Sequence, residues 1–133
     1  NNQMQKKQPE FELQKAVCRW LSFQFPKVLY LSDTVASVKL TIPQQNRNKL
    51  VQKNEFSCPD LLILEPNKDF KGLFIELKVK SPFKKDGVTL LKSEHLENQQ
   101  KTINELKAKG YYACFSWSLE MTLQIISRYM ANR

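Results

Sequence analysis

The run of patterns from residue 60 onward leaves this chain little freedom in what it can build. Residues 60–65 (Asp-Leu-Leu-Ile-Leu-Glu) and 72–79 (Gly-Leu-Phe-Ile-Glu-Leu-Lys-Val) are apolar strand-like segments separated by the turn residues Pro66, Asn67, Lys68 and Asp69. A helical pattern over 94–109 follows, then a further strand over 111–117. A strand, a helical crossover and another strand favour parallel pairing, with the helix packed on the sheet. The expected fold is therefore α/β, a three-layer α/β/α sandwich around a mixed central sheet.

The rest of the chain fits round that unit. Leu13, Val17, Trp20 and Leu21 recur at helical steps over 10–24, and Pro26 ends the run. An extended segment is expected over 28–32 and an extended stretch over 33–42, running into Pro43. Residues 44–53, with Arg47, Lys49 and Lys53, read as a polar helix or a loop. Residues 80–92 read as a loop containing Pro82 and Gly87. Ser93 caps the third helix, Gly110 stops it, and Ser118 caps a last helix reaching about Met130. No repeat or linker interrupts the pattern. Residues 1–9 are expected to form a flexible tail and 10–133 a single domain. With 133 residues and 41% apolar content, such a domain buries roughly two-thirds of its unfolded surface and needs no disulfide or structural metal.

Charge narrows the class of partner. Twenty-one Lys and Arg against 13 Asp and Glu give +8, with a pI near 9.5. This balance favours a polyanion, nucleic acid or an acidic membrane surface, over a neutral partner. The bland alternative is a mixed, solvated surface. Cys18, Cys58 and Cys114 lie far apart and His95 is the lone histidine, so a four-ligand zinc site has no donors. Three free thiols suit a reducing compartment. No apolar run approaches the roughly 20 residues of a membrane span, and the polar start is no secretory signal. The opening residue, Asn1 rather than Met, raises the expectation that upstream residues have been removed.

Chemistry concentrates at the two central strands. Pro59-Asp60 opens one, and Glu76-Leu77-Lys78 lies inside the next. Alternation puts Leu73, Ile75, Leu77 and Val79 on one face and Phe74, Glu76, Lys78 and Lys80 on the other. Two charges in an apolar strand are costly unless paired, hydrated or bound to metal. The spacing itself is common, since Asp69-Phe-Lys71 and Glu105-Leu-Lys107 repeat it, but only Glu76-Leu-Lys78 lies in a strand behind a Pro-Asp. The alternative is an ion pair on an exposed sheet face. Phosphodiester hydrolysis gives the pattern a purpose: two carboxylates on neighbouring strands suit Mg²⁺, and Lys78 can orient water or steady an oxyanion.

Two helices add candidates. Glu10 stands at i with Leu13, Val17 and Leu21 at i+3, i+7 and i+11, so it shares the apolar face and is the better supporting metal ligand than Glu12. The alternative is an acid favoured by the helix dipole. Gln99 falls on the stripe of Leu96, Ile103 and Leu106, while Gln100 aligns with Asn104 and Lys107. A buried amide wants partners; the alternative is a helix-edge glutamine bonded to backbone. Lys80, Lys84, Lys85 and Lys92 after the second strand, and Arg47, Lys49 and Lys53 before Pro59, are candidate phosphate contacts. His95 reads as a plain helix residue. Trp20 and Trp117 read as core rather than as stacking platforms.

These pieces resemble the VRR-NUC group, virus-type replication and repair nucleases, within the PD-(D/E)XK superfamily. The resemblance is carried by Glu10-Phe-Glu-Leu-Gln14, Pro59-Asp60-Leu-Leu-Ile63, Gly72-Leu-Phe-Ile-Glu-Leu-Lys78, Gln99 and Gly110-Tyr111, and runs in order from Glu10 to Tyr129. Its most specific part is the series Pro-Asp, Glu-x-Lys, Gln. Ser57 stands where many relatives have Gly, and residues 33–56 match poorly. The resemblance implies a restriction-endonuclease-like core and a Mg²⁺- or Mn²⁺-dependent DNA endonuclease with no organic cofactor. Asp60, Glu76 and the Leu77 carbonyl would hold metal, Lys78 would act on water, and Glu10 and Gln99 would support. It further implies a homodimer cutting branched DNA such as four-way junctions, in the cytoplasm of a bacterial or phage-infected cell. A monomeric flap or single-strand nuclease and a DNA-binding module without cleavage are the alternatives.

Overall fold

Local chemistry sets the ends of most elements in the structure, a computed structural model that describes residues 9–32 and 40–133. Helix α1 (Pro9–Gln24) starts one residue earlier than expected, with proline at a position whose N–H has no helical partner anyway. Helix α2 (Ile42–Val51) resolves the choice between helix and loop. Thr41 Oγ1 accepts from the Gln44 N–H at 3.3 Å, and Gln44 Oε1 accepts from the Thr41 N–H at 2.9 Å, a reciprocal cap. Ser93 Oγ caps α3 (Glu94–Ala108) by accepting from the Leu96 N–H. Ser118 Oγ caps α4 (Leu119–Ala131) through Met121. Gly110, just past α3, takes φ 96°, where a side chain would be strained. Of the tail expected over 1–9, Pro9 instead opens α1, and of the extended stretch expected over 33–42, Ile42 instead opens α2; residues 1–8 and 33–39 lie outside the described residues.

Strands β1 (Tyr30–Ser32), β2 (Leu61–Ile63), β3 (Leu73–Leu77) and β4 (Tyr112–Ser116) form one mixed sheet in the order β1-β2-β3-β4. The first two pairs are antiparallel and β3–β4 is parallel, as a helical crossover requires. The strands are shorter than their sequence patterns. Beyond Ile63 the chain turns at Pro66 and Asn67, whose Oδ1 takes the N–H groups of Asp69 and Phe70 instead of a ladder partner.

Alternation along β3 divides the interior in two. Leu73, Ile75 and Leu77 join Leu61 and Ile63 of β2, Val17 and Leu21 of α1, and Ile126, Tyr129 and Met130 of α4 in the larger core. Trp20 packs against it. On the other side Ile103 and Leu106 of α3 meet Ala113 and Phe115 of β4, with Phe74, Phe83 and Trp117 against them. Each fully buried Leu or Ile contributes about 1.5–3 kcal/mol, so both clusters hold the sheet rigid. Glu76 faces the second, smaller cluster. Among the described residues no helix is long and apolar enough to cross a membrane.

Candidate active site

Register brings the acids together. Leu61 pairs with Ile75 and Leu62 with Phe74, so the next antiparallel step sets Asp60 across from Glu76. The two carboxylates therefore leave the same face of adjacent strands. Asp60 Oδ2 accepts from the Leu77 N–H at 2.8 Å, which ties the start of β2 to the end of β3. Lys78, on the Glu76 side of the pleat, places Nζ 3.9 Å from Glu76 Oε1.

Glu76 is 5% exposed, an expensive place for a charge. Its carboxyl group is pushed up to about 8, first by burial and next by the Asp60 charge, with Glu10 adding a smaller push. Lys78 and the Asp60 backbone N–H pull the other way without offsetting the rise. Gln99, 4% exposed, donates from Nε2 to Glu76 Oε1. Gln100 instead donates to Asn104 Oδ1 at 3.0 Å on the exposed side of α3. Gln99 Nε2 also lies 3.1 Å from His95 Nε2.

Two buried acceptors are left over. Among the described residues, Glu76 Oε2 and Gln99 Oε1 have no hydrogen-bond partner, and such atoms cost about 1–3 kcal/mol each when nothing satisfies them. Unpartnered oxygen beside two carboxylates is the donor chemistry of a hard divalent cation, which would also offset the burial and the Asp60 repulsion that raise Glu76. The residues present fit such an ion, with Asp60, Glu76 and the Leu77 carbonyl as protein donors and the remaining positions left to water.

Glu10 lies in the first turn of α1. It is exposed, not on a buried face, and among the described residues no three His, Cys, Asp or Glu side chains form a group that could hold a metal. The periodicity was sound for Leu13, Val17 and Leu21, but α1 packs on the side of the sheet opposite Glu76. The Glu10 charge nevertheless reaches Glu76 and adds to its rise.

The basic residues separate. Lys49 and Lys53 line a cleft of about 720 Å³ between the end of α2 and α3, together with Phe56, His95 and Lys101. Arg47 is exposed on α2 but does not line it. Lys84 and Lys85 sit on a separate exposed loop closed by the Phe83–Leu90 bridge, and Lys80 and Lys92 flank that loop in solvent. Sequence reasoning read His95 as a plain helix residue and did not single out Lys101, and both line that cleft. His95 precedes Gln99 by one helical turn, and that spacing was the available signal for its place beside the site.

Paired strand carboxylates with a neighbouring lysine, on a mixed sheet with a parallel crossover, define the kind of protein the fold and site describe. A solved structure titled "VRR_NUC domain protein" superposes with a TM-score of 0.64, covering 96% of this chain and 93% of that one at 20% identity. The chain therefore has the fold of that VRR_NUC domain. No protein-family model and no curated protein matches it.

Proposed function

We propose that this protein is a divalent-metal-dependent nuclease of the PD-(D/E)XK type that hydrolyses DNA. One observation carries the reading: Glu76 is buried with Oε2 unpartnered, across from Asp60 and beside the Lys78 ammonium. A pure binding surface gains nothing from acids beside phosphate. When bound, a divalent ion supplies positive charge opposite the phosphate and acidifies water.

The chain's own groups do the rest. Asp60 and Glu76 would hold the ion, and the Leu77 carbonyl would add a third oxygen. Lys78 orients the attacking water or steadies the anionic phosphate oxygens. Gln99 fixes the Glu76 carboxylate, and Glu10 acts through its field. Water oxygen bonds to phosphorus, the bond to the leaving oxygen breaks, and the water's proton ends on that oxygen. The exposed lysines 80, 84, 85 and 92, with Arg47, Lys49 and Lys53, contact flanking phosphates. An α/β/α layering of residues 10–133 as one domain, branched DNA as substrate, a homodimer as the active unit and a cytoplasmic setting complete the reading, and the family resemblance supports them.

Branched, flapped and linear DNA incubated with Mg²⁺, Mn²⁺ or EDTA tests it. Cutting of branched DNA only with metal is expected, and Glu76→Ala should abolish it. Cutting that persists in EDTA, or in Glu76→Ala, rules out the mechanism. Preferential cutting of flaps by a monomer would replace the branched-DNA homodimer with the single-strand alternative.

A further inference from the structure

From the cleft between α2 and α3 we infer a binding site for an unpaired stretch of nucleic-acid strand, with one base stacked on Phe56 and its neighbouring phosphates on Lys49, Lys53 and Lys101. The inference rests on the nuclease reading and names the form of substrate its site receives.

Five observations converge on this cleft. Three lysines line it against one acid, Glu55. Phe56 is 43% exposed within it, a large aromatic face held in water beside cations. The chain spends conformational energy to present that ring: Glu55, just before it, takes φ 59°, a left-handed conformation that costs a residue with a side chain about 1 kcal/mol or more. The loop is also fixed, because the Ser57 N–H donates at 3.2 Å to Thr102 Oγ1, a buried group on α3. His95 joins the cleft to the carboxylates, since it lines the one and meets Gln99 of the other.

The chemistry selects an unpaired strand over duplex. Bases in a duplex turn their faces to one another, so only an unstacked base can lie flat on a recessed aromatic ring. Lysines on either side then meet the phosphates that flank it. Branch points and flaps both supply such nucleotides. A blunt duplex does not.

The test measures binding in EDTA, where nothing is cut, with a short fluorescein-labelled oligothymidylate and a blunt duplex of two separate strands as probes. Wild type should bind the oligothymidylate, and Phe56→Ala should weaken that binding by roughly tenfold or more. Phe56→Trp, which keeps a stacking face, should retain the affinity. Replacing Lys49, Lys53 and Lys101 with Ala should flatten the salt dependence by about 0.7 in the log–log slope for each phosphate no longer neutralised. Binding of the blunt duplex should be insensitive to Phe56→Ala. Unchanged oligothymidylate binding in both the Phe56 and lysine variants, or an equal Phe56→Ala loss on the blunt duplex, overturns the assignment. Glu76→Gln should still bind the oligothymidylate while losing cleavage. If it keeps cleaving, the catalytic reading fails and the cleft stands; if only the cleft variants behave as wild type, the reverse holds.

Discussion

Glu76 concentrates the tension in this molecule. A buried carboxyl group whose proton leaves only near pH 8, against a usual value of 4.5, makes metal-free stability depend on pH. Between those values the unfolded chain has released the proton and the folded chain still holds it, so the folded state binds more protons and stability falls as pH rises. The Glu76 contribution is fully present below about 4.5 and is lost on passing about 8. Thermal melts in EDTA should therefore show a decline across this window that Glu76→Gln removes, a difference on the order of a few kcal/mol. Identical pH profiles for the two proteins would contradict the burial account. Gln99→Ala should lower cleavage at least tenfold because it frees the Glu76 carboxylate, whereas Gln100→Ala should leave it near wild type; comparing kcat for the pair decides which glutamine matters. Strand alternation and the helical stripe made Asp60, Glu76, Lys78 and Gln99 legible in the chain itself. His95 was not, since its meaning depends on where the Gln99 amide points.

Helix α3 links the layers, because one of its faces carries Ile103 and Leu106 into the core and also carries Gln99 to Glu76. Ile103→Ala should cost about 2–5 kcal/mol through the cavity it leaves, visible as a lower denaturant midpoint at unchanged slope. Gly110→Ala should destabilise too, since φ is 96° and a new Cβ would come 3.2 Å from Lys71 Cε; a loss of about 1 kcal/mol is expected from chemical denaturation. Caps and turns at Ser93, Gly110 and Ser118 are local, so their positions were readable from the chain. The ends of β2 and β3 were not. Ladder length depends on partners far away in sequence, and β1 offers β2 only three residues. Glu10 shows the same limit: periodicity put it on the stripe of Leu13, Val17 and Leu21 but told neither that the first turn stays exposed nor which side of the sheet α1 covers.

The molecule as a whole carries +8, with Asp60 and Glu76 set across from each other on neighbouring strands and Lys49, Lys53 and Lys101 lining a separate cleft. A protein so arranged should bind DNA with a steep salt dependence, weakening by orders of magnitude between low and moderate salt. Titration at several salt concentrations checks this, and a flat response would show that the lysines are only solvated. Composition announced a polyanionic partner, and the strand–helix–strand order announced a mixed sheet. The α2–α3 cleft was out of reach, because residues 49–56 and 95–101 meet only after the chain has folded. The most direct trial of the shared-ion claim is a Mn²⁺ titration followed by electron paramagnetic resonance. Wild type should bind a single tight Mn²⁺ per chain, more strongly as pH rises toward about 8 and the Glu76 proton is displaced, and Glu76→Gln should lose it. Equal Mn²⁺ binding by both proteins would contradict a cation shared by Asp60 and Glu76.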